Sequence, residues 1–91
     1  MKNLVIHHRI LTRAGELVEL DLERYYPGAY RYQVSEKLAY NIVKTGKCSV
    51  RPWELVKFEP GKQTLLAEAH TLNQLVITLF FMLNFNKTLE V

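Results

Sequence analysis

Residues 25–50, YYPGAYRYQVSEKLAYNIVKTGKCSV, decide how the chain is to be folded, because a turn, an aromatic cluster and an apolar stripe follow one another without a break. Pro27-Gly28 joins a fixed negative φ to a residue free to take positive φ, which is what a type II-like turn needs. Tyr30 to Val34 then reads as a short strand. Ser35 stands where a helix N-cap is wanted, and Leu38, Ala39, Ile42 and Val43 recur at the spacing of one helix face, with Lys37 and Lys44 left to solvent. Glu36 in the first turn and Lys44 in the last suit the helix dipole, and Gly46 supplies a stop. The spacing predicts a short helix between Ser35 and Gly46.

Toward the N-terminus, Leu4, Ile6, His8 and Ile10 alternate with residues of another face. After a turn at Thr12 to Glu16, Val18, Leu20 and Leu22 alternate with Glu19 and Asp21. Period-two patterning around a Gly-containing turn predicts a β-hairpin with one buried face. Toward the C-terminus, strand is expected at Cys48 to Val50 and, past an interruption at Pro52 that suits an edge or a bulge, from Trp53 to Glu59 before a Pro60-Gly61 turn.

Thr64 can cap a second, longer helix in which Leu65, Ala69, Leu72, Val76, Leu79, Phe80 and Leu83 trace one face. Its opposite face is polar early, at Glu68, His70, Thr71 and Asn73, and apolar late, at Leu75, Ile77, Phe81, Met82 and Phe85. The stretch LVITLFFML also has the composition of a buried strand; helix is the preferred reading. The run from Leu75 to Phe85 falls well short of the ~20 residues that cross a bilayer, so no membrane partner is expected. A helix apolar all round must be covered on all sides. It is either the core helix of the monomer or, through Leu75, Ile77, Leu79, Phe81, Met82 and Phe85, an oligomer interface, and the two readings stand about even. The expected fold class is α+β: a single domain over residues 1–91 with a small antiparallel hairpin and sheet, one short helix and one longer apolar C-terminal helix.

A chain of 91 residues buries only about two thirds of its unfolded surface, so a partner subunit would help it. The net charge of +3 is unevenly spread: +3 over residues 1–15, −4 over 16–23, +5 over 24–62 and −1 over 63–91. The basic middle permits nucleic-acid contact without demanding it. One cysteine excludes an internal disulfide framework, and no signal-peptide pattern opens the chain. The expected location is a virion or the host cytoplasm, without secretion.

Pro27-Gly28, Val34-Ser35, Ala39, Ile42-Val43 and Gly46-Lys47-Cys48 together resemble a pattern of small bacteriophage virion-associated proteins, in which a Pro-Gly turn precedes a V-S-E-x-L-A-x-x-L-V-x-x-G-K-A helix. The resemblance covers about a quarter of the chain. Cys48 replaces the usual Ala, and the aromatic residues before Val34 are not part of the pattern. It implies a β-hairpin followed by a short helix in a small α+β module, and a virion setting; it brings no catalytic residue.

The residues offer surfaces in place of a reaction centre. Arg24, Tyr25, Tyr26, Tyr30, Arg31 and Tyr32 combine the residue types enriched at interface hot spots with those that stack on unpaired bases. Packing of a sheet face accounts for the tyrosines about as well. A protein partner comes next, and single-stranded nucleic acid third. Lys37, Lys44, Lys47 and Arg51 would extend a basic strip around the short helix, but no helix-turn-helix, RNA-recognition or zinc-finger spacing accompanies them, and any phosphate contact is expected to be weak. His7 and His8 are adjacent, so in a strand they face opposite ways and cannot share a metal; His70 is distant. Cys48 lacks a second thiol, a base and an oxyanion hole, and reads as a small apolar residue. Glu19, Asp21 and Glu23 alternate outward as a solvent face or acidic contact patch. No catalytic, metal or cofactor site is expected. The sequence points to a non-enzymatic structural or interaction protein, such as a virion head, connector or tail accessory component working as a homo-oligomer or with other virion proteins. A small nucleic-acid-binding or host-regulator protein is the alternative.

Overall fold

The computed structural model describes residues 4–46 and 50–89, the side chains of 86–89 excepted. Six strands run in chain order as one antiparallel sheet, β1 (Leu4–Leu11), β2 (Leu17–Tyr26), β3 (Ala29–Ser35), β4 (Leu38–Lys44), β5 (Trp53–Glu59) and β6 (Lys62–Ala69), followed by one helix, α1 (Leu72–Leu89). The helix lies across one face and touches β1, β2, β4, β5 and β6. Val18, Leu20, Leu22, Tyr40, Ile42 and Leu55 of the sheet meet Leu75, Val76 and Leu79 of the helix in a single core.

This architecture overturns the expected two-helix α+β arrangement. The segment from Ser35 to Gly46 is the second half of a β3–β4 hairpin, not a helix. Ser35 does accept a backbone N–H through its hydroxyl, from Lys37 at 3.3 Å, but as a side-chain turn and not as a helix cap. Ser35 pairs with Leu38, and the Gln33 side-chain amide donates to the carbonyls of both. Glu36 and Lys37, the two turn residues, stay at negative φ, so the positive-φ residues that usually announce a two-residue hairpin are missing; a register shift between Gln33 and Ser35 accompanies the turn. β4 is a central strand with Ala39 and Tyr40, on opposite faces, both almost fully buried. Burial on both faces erases strict alternation, and Leu38, Ala39, Ile42 and Val43 then satisfy a helical stripe equally well.

The second correction lies at the C-terminal helix. Thr64 caps nothing. Residues from Lys62 return antiparallel along β5, because Glu59 pairs with Lys62 across the Pro60-Gly61 turn, where Gly61 has φ +72°. Helix formers such as Leu, Ala and Glu in β6 are overridden by this pairing. The actual start is a capping box: the Gln74 N–H donates to Thr71 Oγ1 at 3.3 Å, and Gln74 Oε1 accepts from the Thr71 and His70 N–H groups at 3.2 and 3.0 Å. The LVITLFFML stretch is helical, as the preferred reading had it.

At three other places the pattern and the elements agree. β1 and β2 form the N-terminal hairpin, β5 has the predicted bounds, and Gly28 holds φ +99° between Tyr26 and Ala29, which pair across the turn. Of the strand expected at Cys48 to Val50, Val50 is a bend, and residues 48 and 49 lie outside the described residues. Thr45 closes the ends of this loop, donating from its N–H and hydroxyl to the Pro52 carbonyl at 2.7 and 3.0 Å.

Candidate functional site

Strand alternation divides the Arg-Tyr segment between two faces of the sheet. Tyr30 and Tyr32 turn to the helix side and pack on the core, Tyr30 making an edge contact with His8 at 5.6 Å and a tilted one with Trp53 at 6.4 Å. Arg31 points to the other face. Its guanidinium lies 5.3 Å from the Tyr25 ring centroid and 6.0 Å from that of Phe58, and its Nε donates to Asn41 Oδ1 at 2.9 Å. Arg24 is half-buried, while Tyr25 and Tyr26 are exposed at the end of β2. The six residues therefore do not form one surface: Tyr30 and Tyr32 support the core, and Arg31 is held by its neighbours.

The basic residues are likewise separated. Lys37 sits in the β3–β4 turn and Lys44 at the far end of β4, about 20 Å of strand away. Arg51 lies in the loop before β5, and Lys47 falls outside the described residues. The expected strip around a short helix has no helix to wrap.

The uncovered sheet face carries a charge ladder on β1 and β2. Arg9 Nε lies 3.4 Å from Glu19, His7 Nε2 3.7 Å from Glu19, and His7 Nδ1 2.5 Å from Asp21. All are well exposed, so each pair stabilises by less than about 1 kcal/mol. Adjacent His8 faces the opposite way. Its Nε2 is buried without a hydrogen-bond partner, and its pKa is lowered by burial and by neighbouring His7, against an opposing pull from Asp21. Among the described residues, no group of three or more His, Cys, Asp or Glu side chains is arranged to hold a metal ion. No helix among them is long and apolar enough to cross a membrane.

Two apolar features among the described residues bear on binding. The first is the outer flank of α1. Leu75 and Leu79, proposed from sequence as contact residues, are 1% and 0% exposed in the core of their own chain, whereas Phe81 and Phe85 are 41% and 62% exposed. Ile77 and Met82 are half-buried between these extremes. No charge occurs from Leu72 to Phe85. Two oxygens on this flank are occupied locally: the Thr78 hydroxyl donates to the Gln74 carbonyl at 2.9 Å, and the Gln74 carboxamide oxygen closes the cap.

The second feature was not anticipated. β1 and β2 pair at eight positions and β3 and β4 at six, yet β2 and β3 pair at only three, within Glu23 to Arg31. Beyond them the two strands part, and a groove of about 440 Å³ opens at the split. Leu20, Tyr32, Leu38, Tyr40, Phe80 and Leu83 make its apolar lining, with Val34 also contributing, and Glu19, Gln33 and Asn84 are its polar members. No periodicity could disclose this groove, because it follows from how far one ladder extends. The T-x-x-Q box at Thr71, by contrast, was readable and would have placed the helix start correctly.

The chain was compared with protein-family models, curated proteins and solved structures, and none of them matches it.

Proposed function

We propose that this chain is a non-enzymatic interaction protein that works in an oligomer, with the outer flank of α1 as its self-association surface. The observation that carries this reading is the pair Phe81 and Phe85, one helical turn apart and exposed on a flank without charge. Burying a phenylalanine side chain stabilises by about 1.5–3 kcal/mol, and a second copy offers a like surface with no ion to desolvate. The local bonding of Thr78 and Gln74 lets that flank be covered without orphaning their oxygens. A virion head, connector or tail accessory role is the setting implied by the sequence resemblance, and it rests on that resemblance alone, since the helix of the pattern is a β-hairpin here.

Native mass measured across a concentration series tests the reading. A stable oligomer that persists in salt supports it. A monomer that binds oligonucleotides, with affinity falling steeply as salt rises, supports the nucleic-acid-binding alternative instead.

A further inference from the structure

We infer that the split between β2 and β3 is a docking site for an extended segment of another protein, one that alternates apolar with basic residues. This inference is independent of the helix-flank reading.

Its basis is the backbone. Along Leu17 to Leu22, β2 is paired to β1 on one side, and no register pair joins it to β3 on the other. In an antiparallel strand, alternate residues turn their N–H and C=O groups to either side, so this stretch presents a strand edge to the groove. A compact ligand meets only part of such an edge. A peptide of about six residues, roughly 20 Å when extended, continues the place that β3 leaves and completes the ladder.

The two faces of β2 dictate the peptide's sequence. Val18, Leu20 and Leu22 point to the helix side, where the groove is lined by Tyr32, Phe80 and Leu83, so peptide residues opposite them are apolar. Glu19 and Asp21 point to the uncovered face, with side chains 45% and 63% exposed. Among the described residues, the basic partners of these two carboxylates are Arg9, on Glu19, and His7, on both. Peptide residues opposite Glu19 and Asp21 are therefore Lys or Arg, since opposite charges directly across a strand pair attract and like charges repel. The predicted core is apolar-basic-apolar-basic-apolar.

Selection of a displayed library of random twelve-residue peptides on the full chain tests this. The expected enriched peptides alternate Val, Ile or Phe with Lys or Arg. Their binding slows amide exchange at alternate residues of Leu17 to Leu22 by tenfold or more. Val34→Glu, at the exposed end of β3, should weaken binding at least tenfold with an unchanged melting temperature; Glu19→Gln should weaken it several-fold and reduce its salt dependence. Phe85→Asp should leave it unchanged, which separates this site from the helix flank. Failure to enrich any alternating sequence overturns the inference, as does binding without protection of β2 or insensitivity to both groove variants. Self-association of the chain that is lost in Glu19→Gln would assign the groove to a second copy and likewise overturn it.

Discussion

The two flanks of α1 come from one uncharged run, yet Leu75, Val76 and Leu79 are sealed against the sheet while Phe81 and Phe85 stand in solvent. Hydropathy counts apolar residues without saying which of them a chain can cover by itself. A single sheet face covers one side of a helix, and the other side is left over. The same division runs through the sheet: His8, Tyr30 and Tyr32 lie on the core side, whereas their neighbours His7 and Arg31 lie on the open face.

The inner flank should give the largest effect. Leu79→Ala empties a fully buried site and is expected to cost about 2–5 kcal/mol, read by denaturant unfolding, with no separate effect on association. An unchanged midpoint would mean that the helix does not sit on the sheet. The tyrosines sharpen the same contrast. Tyr30→Ala, half-buried against His8 and Trp53, should cost about 2 kcal/mol, while Tyr26→Ala, 61% exposed, should leave the melt within about 0.5 kcal/mol. Equal losses at both would erase the distinction between core and rim.

Gly28→Ala comes next, at about 1–2 kcal/mol, because the position holds φ +99° and a Cβ there would sit 3.4 Å from the Lys44 Cβ. The smallest effect concerns pH. His8 has a lowered pKa in the folded chain, so the unfolded chain binds its proton more readily; the contribution is fully present above the unfolded value near 6.5 and is lost as pH falls below it. Melting temperature should therefore drop between neutral pH and pH 5 by more in the wild type than in His8→Phe. A parallel drop in the two proteins would assign the acid sensitivity to other groups.

Much of the fold was legible where one face is covered and one is open. The alternation of Leu4 to Ile10 and Val18 to Leu22 gave a hairpin, and Pro27-Gly28 and Pro60-Gly61 marked two turns. The reading failed where packing overrides pattern. β4 has Ala39 buried on the face opposite Tyr40 and Ile42 and loses its alternation, Glu36-Lys37 turns without glycine or asparagine, and β6 is rich in helix formers yet tied to β5 by a two-residue loop. Of the surfaces, the apolar late helix was visible as composition, but its division into a core flank and a free flank was not. The groove depends on three pairs between β2 and β3, a length that no local signal encodes.

Sedimentation equilibrium of the wild type and of the Phe81→Asp/Phe85→Asp variant, run beside thermal melts of the same samples, bears most directly on the claim that the outer flank of α1 joins copies of the chain. The expected result is an oligomeric wild type and a monomeric variant whose melting, extrapolated to low protein concentration, matches that of the wild type. A wild type that remains monomeric at high micromolar concentration, with the variant equally folded, would contradict the claim.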